Sequence, residues 1–126
     1  MTKVRVSGFS LSVDGFGAGP EQGASDPLGK RGLELHQWLF ATRTFHGMKG
    51  QSGGSVGVDD KYAARSMTGF GAIIMGRNMF EPIRGAWLDH SWKGWWGENP
   101  PFQTPTFVLT RHAQDPIVMD GAPFFI

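Results

Sequence analysis

The spacing of apolar and polar positions changes several times along the chain. In "KVRVSGFSLSVDGFGAG", Val4 and Val6 alternate in one phase, and Phe9, Leu11 and Val13 alternate in the other. Alternation with a period of two predicts a long strand, and the phase change at Gly8 predicts a bulge or a strand covered on both faces. Asp14-Gly15 predicts the turn that ends it, and residues 16–29 read as an irregular, turn-rich loop. Leu35, Trp38, Leu39 and Thr42 then fall at helical spacing, which predicts an amphipathic helix from Lys30 to Arg43. The glycine-rich stretch "GMKGQSGGSVG" predicts a flexible loop over residues 47–57. Asp59 or Asp60 is placed to cap a second helix that runs to Thr68 and stops at Gly69.

From Ala72 to Met75 the chain is apolar without alternation, the pattern of a strand buried on both faces, as in parallel sheets under helices. A Trp-rich segment over residues 85–105 is expected to be weakly ordered, and "TFVLT", Thr106 to Thr110, predicts a further strand. A last apolar run begins at Phe124. Strands alternating with helices predict one α/β domain over residues 1–126, with a mostly parallel sheet flanked by helices. Because the final residues read as an unfinished strand, the domain is expected to be truncated at its C-terminus.

Composition narrows the function classes. A chain of 126 residues is long enough to bury a core. The net charge of +1, with no basic run, argues against a nucleic-acid partner. No cysteine is present, which removes disulfides and thiolate metal sites, and the four histidines lack metal-ligand spacing, so no metal is expected. No apolar stretch approaches the roughly 18 residues of a membrane helix, and "MTKVRVSGF" lacks a signal-peptide core, so the expected address is the cytoplasm. No serine sits in a nucleophile-elbow context, which argues against acyl hydrolysis, and the catalytic residues stay unassigned.

Glycines that let backbone approach a ligand, beside aromatics that line a cleft, suit a small-molecule site, although most of them serve equally well in loops and packing. Four of the five tryptophans lie between Trp87 and Trp96. In "AWLDHSWKGWWGENPPF" they read either as a lid for a planar substrate or as a patch for dimer contact. Tryptophan is enriched in interface cores, and the second reading has a slightly better claim because the fold reads as incomplete and exposed apolar surface needs a partner; a homo-oligomer is expected.

The sharpest chemical signal is a repeated junction. "AIIMGRNMFEPI" and "FVLTRHA" each run from an apolar strand into an arginine, Arg77 and Arg111. In an open α/β sheet ligands bind beyond the carboxyl ends of the strands. If the two strands are neighbours, two guanidinium forks face one crevice, and such forks match phosphate oxygens. A helix starting after Arg77 adds backbone donors and a positive dipole end, while Asn78 and Thr110 add neutral donors. One arginine after a strand is more often a solvated charge; two similar junctions bring the phosphate reading level with that alternative.

"SLSVDGF", "IIMGRNMFE" and "FVLTR", in that order, resemble the dihydrofolate-reductase-like superfamily, and most closely its branch related to the C-terminal reductase domain of the bacterial riboflavin-pathway deaminase-reductase. The resemblance spans this chain but only the N-terminal part of that domain. It implies NADPH as cofactor and hydride transfer to a small heterocyclic substrate. It implies that Gly76, Arg77, Asn78 and Met79 hold the cofactor phosphates, with Met79 standing where the family often has threonine. It implies that Thr110, Arg111 and His112 read the adenosine 2′-phosphate, and that the turn at Asp14 and Gly15 borders the nicotinamide and substrate. Glu34 and Trp38 complete the substrate side; Glu34 lies nearest to the acid of the folate-reducing enzymes, but one residue out of register against Trp38, and reads as a solvated helix residue. The family's later glycine-pair turn has no counterpart before Ile126. Two alternatives stand beside the reductase: a non-catalytic nucleotide-binding fragment, and an assembly module that uses the Trp-rich loop.

Overall fold

Four short strands build a mixed sheet: β1 (Ile73–Gly76), β2 (Thr106–Leu109), β3 (Ile117–Met119) and β4 (Ala122–Phe125), in the order β1-β2-β4-β3. The computed structural model describes residues 2–81, 83 and 85–126. Its chain divides into two compact units, one of Met1–Gln22 with Leu28–Gly69, the other of Gly23–Pro27 with Phe70–Ile126. The sheet belongs to the second unit.

In that unit β1 and β2 run parallel in the register Ile73↔Thr106 to Gly76↔Leu109, and β4 joins β2 in parallel at Thr106↔Phe124 and Phe107↔Phe125. The antiparallel β3–β4 hairpin closes through Asp120-Gly121, with Gly121 at φ 92°. A two-residue Asp-Gly loop is a strong hairpin signal, because its second residue needs a left-handed backbone. The sequence reading found only the run at Phe124 and missed β3.

Side chains alternate across the sheet. Thr106, Val108, Met119 and Phe124 point into the core with Phe80 and Trp87, and Met75, Trp92, Phe102, Ile117 and Ile126 pack around them. The Trp-rich segment is therefore the layer covering this face. Trp92 Nε1 donates to the Phe80 carbonyl at 2.9 Å, and the rings of Phe80 and Phe124 lie 5.7 Å apart. The residues between them, Ile74, Phe107, Leu109 and Phe125, are on the opposite face and exposed. The expectation that β1 is buried on both faces is thus corrected: its burial alternates, and Ile74 is 66% exposed.

The first unit is helical. A 3-10 turn (Gly32–His36) leads into α1 (Gln37–Phe40), followed by α2 (Arg43–Met48) and α3 (Val58–Ser66). The single helix expected from Lys30 to Arg43 is interrupted at Thr42. The Thr42 hydroxyl donates to the Leu39 carbonyl at 2.7 Å and accepts from the Phe45 amide at 3.2 Å, ending one helix and capping the next. Residue Thr42 also bridges to Ser55, and a Cβ at Gly54, whose φ is 93°, would stand 2.6 Å from the Arg43 nitrogen. Only glycine permits that approach. Helix α3 is capped by Gly57 without a side-chain bond, so neither aspartate caps it. Asp59 and Asp60 instead occupy its first turn, where negative charge meets the positive end of the dipole.

The strand expected in residues 3–13 does not form. Residues 2–11 carry no strand ladder, and Gly8, at φ 74°, turns the backbone out of the extended region. Side chains tether the segment instead: Arg5 Nη2 donates to the carbonyls of Arg65 (3.1 Å) and Thr68 (2.7 Å), and Ser7 Oγ to that of Ser66 (3.3 Å). The Asp14-Gly15 turn is present, with Gly15 N bonded to Ser12 O at 2.9 Å. Among the described residues, no helix is long and apolar enough to cross a membrane.

Candidate phosphate-binding site at the ends of β1 and β2

The register of β1 on β2 sets Gly76 beside Leu109, so both strands end at the same edge of the sheet. Gly76-Arg77-Asn78 and Thr110-Arg111-His112 leave from there side by side. The sequence condition for a shared crevice, neighbouring parallel strands, is met.

The two arginines behave differently. Arg77 turns its guanidinium into the unit. Its Nη2 meets Glu81 Oε2 at 2.6 Å and the Ile83 carbonyl at 3.1 Å, while Nη1 donates to the Gly85 carbonyl at 3.2 Å. Both side chains of the Arg77–Glu81 pair are largely buried, at 11% and 4% exposure. The guanidinium carbon stacks 3.2 Å from the centroid of the Trp87 ring. From that ring, Nε1 donates to the His112 carbonyl. Trp87 therefore joins the two junctions, with the Arg77 cation on its face and the backbone of the second junction at its edge. The i, i+4 spacing of Arg77 and Glu81 is a helical ion-pair signal that was open to the sequence reading and went unused. The tie to Trp87 has no local signal at all.

Arg111 is exposed and has no ion-pair partner among the described residues. His112 is exposed too, and its amide donates to Thr110 Oγ1 at 3.1 Å, which fixes the turn. Because that hydroxyl accepts from the backbone, its own proton is left to donate. Asn78 and Met79 are exposed beside them. Above Gly76 a Cβ would meet nothing within 4 Å, and its φ of −75° suits any residue, so the protein's own fold does not require glycine there. Open backbone at this point leaves room for a diphosphate to come close. Helix α4 (Arg77–Phe80) is a single turn, so its dipole contributes less than a full helix would.

Beyond β2 lies a cavity of about 800 Å³ lined by His90, Ala113, Gln114, Asp115, Pro116 and Ile117, the last five following His112 directly in the chain. His90 Nδ1 and Gln114 Oε1, both of its wall, stand 3.1 Å apart. None of the residues at the two junctions is among its lining residues.

The substrate-side candidates lie in the helical unit. Asp14 and Gly15 form an exposed turn in which Ser12 Oγ donates to Asp14 Oδ1 at 2.6 Å. Glu34 is exposed and takes a bidentate pair of bonds from Arg31, 2.9 Å each; these hold its carboxyl below the usual carboxylate range. Trp38 lines a cavity, and its Nε1 donates to Ser10 Oγ at 2.9 Å. Among the described residues, no group of His, Asp and Glu is arranged to hold a metal ion.

Fold and site together define a small α/β protein whose two parallel strands end in adjacent Gly-Arg and Thr-Arg junctions. No protein-family model matches the chain, and no curated protein matches it.

Proposed function

We propose that this chain is the nucleotide-binding part of an NADPH-dependent reductase of the dihydrofolate-reductase and riboflavin-pathway-reductase type, acting on a small heterocyclic substrate. One observation carries the reading: β1 and β2 are parallel and in register, so both junctions emerge at one sheet edge.

The residues divide the work. Arg111, a free fork at that edge, takes the 2′-phosphate, with the Thr110 hydroxyl and His112 beside it. The open backbone at Gly76 and the Asn78 amide take the diphosphate. Arg77 shapes the site from behind, holding Trp87, which in turn holds the His112 carbonyl. When bound, NADPH supplies the hydride, and the protein contributes position and phosphate recognition. The assembly alternative has less to stand on, since Trp87 and Trp92 are used in the core.

Calorimetric titration of the chain with NADPH and with NADH tests the proposal. It expects clear preference for NADPH, because only NADPH carries the 2′-phosphate. Equal affinity for the two, or heat from neither, contradicts it.

A further inference from the structure

The helical unit holds a second site with different chemistry. A half-open cavity of about 430 Å³ is lined by the tethered N-terminal segment from Val6 to Ser10, by His36, Trp38 and Leu39 around α1, and by Asp59, Tyr62, Ser66 and Met67 of and after α3. Pockets of this size hold small ligands. Three aromatic side chains converge on it from three segments, and each is substantially exposed: Phe9 57%, Trp38 37% and Tyr62 62%. Aromatic rings left in solvent around a concavity are costly unless something covers them.

The one acidic group lining the cavity is also unspent. Asp60, the next residue, is consumed internally, accepting from the Thr44 amide and hydroxyl at 2.7 Å each and facing Arg43 at 3.7 Å. Asp59 forms no ion pair among the described residues. Two cations are committed elsewhere: Arg5 donates to backbone carbonyls of Arg65 and Thr68, and Arg31 pairs with Glu34. Among the described residues, no lysine or arginine lines the cavity. His36 does line it, and its Nδ1 is buried without a hydrogen-bond partner.

We infer that this cavity binds a small organic cation of the quaternary or methylated ammonium class. The faces of Trp38, Tyr62 and Phe9 supply the negative side of their quadrupoles, and Asp59 supplies the counter-charge. Such a cation is weakly hydrated and bulky, so it covers aromatic surface without demanding hydrogen bonds. The site lies wholly in the helical unit; it takes in Trp38, which the family resemblance set on the substrate side, but it does not rest on nucleotide binding at the two junctions.

The test is a titration of the full chain with choline and with its neutral carbon isostere, neohexanol, followed by tryptophan indole resonances in NMR. Choline is expected to shift the Trp38 indole signal saturably and to bind at least about fivefold more tightly than neohexanol. Asp59→Asn and Tyr62→Leu, both at exposed positions, are each expected to weaken choline by about fivefold while leaving the dispersion of the spectrum intact. Equal binding of choline and neohexanol overturns the proposal, as does an unmoved Trp38 signal or choline binding indifferent to both substitutions. NADPH titrated against Asp59→Asn separates the two readings: its affinity is expected to be unchanged, whatever choline does.

Discussion

Replacing Arg77 by leucine separates its structural work from phosphate binding. The side chain is 11% exposed, its partner Glu81 is 4% exposed, and the two meet at 2.6 Å. Taking Arg77 away strands a carboxylate in the interior and frees the carbonyls of Ile83 and Gly85. It also removes the cation from the face of Trp87. Breaking a buried ion pair by deleting one partner typically costs about 3–5 kcal/mol. At a urea dependence of about 2 kcal/mol per molar, that lowers the unfolding midpoint of the sheet unit by roughly 2 M. The fluorescence of Trp87, Trp92, Trp95 and Trp96 reports this unit, and Trp38 reports the other, so 19F labelling of the indoles resolves which unit melts. Adding Glu81→Leu to Arg77→Leu removes the stranded charge and is expected to bring stability back to within about 1 kcal/mol of wild type. A single variant that loses less than about 1 kcal/mol, or a double variant as unstable as the single, refutes the account of Arg77 as a buried structural cation.

Further outcomes follow from other positions. The Asp60 carboxyl is held below its usual range by hydrogen bonds from the Thr44 hydroxyl and amide, with Arg43 adding to the effect. A carboxylate favoured in the fold stabilises it fully above the ordinary carboxylate pKa of about 3.9, and that contribution fades as pH falls through the lower folded value. The helical unit should therefore lose stability on acidification below about pH 4, and Asp60→Asn should flatten the dependence in acid-unfolding curves. Gly76→Val should keep the far-ultraviolet circular dichroism, because the space above Gly76 is open, yet abolish NADPH binding; unchanged affinity would make the glycine only a junction. Leu109, 63% exposed on the uncovered apolar face of the sheet, should promote self-association, so Leu109→Lys should lower the sedimentation-average mass of the protein.

How much of this was legible in the sequence follows the range of the interactions. The run Ala72 to Met75 and "TFVLT" located β1 and β2 to within a residue, because a short apolar run bounded by glycine or proline has few alternatives. The repeated Gly-Arg and Thr-Arg junction was visible as spacing, and the parallel register brings its halves together. What failed was decided by distant partners. Val4, Val6, Phe9, Leu11 and Val13 have the alternation of a strand, yet a strand needs a neighbour to bond with, and these residues are tethered by side chains instead. The break at Thr42 was hidden because its hydroxyl, read as part of a helical stripe, bonds to the backbone on both sides. The burial of Trp87 against Arg77 crosses from one segment to another and left no periodic trace. The hairpin of β3 and β4 could have been read from Asp120-Gly121 between two apolar triplets.

The central claim is that the free arginine at the end of β2 recognises a phosphate present on NADPH and absent from NADH. Its most direct test is the affinity of Arg111→Ala for both nucleotides against wild type. Loss of one charge-assisted hydrogen bond typically costs about 1.5–3 kcal/mol, or roughly tenfold to a hundredfold in affinity. The account expects NADPH to weaken by that factor while NADH stays within about twofold, since Arg111 is exposed and its removal leaves the fold intact. Equal loss for both nucleotides, or none for either, contradicts it.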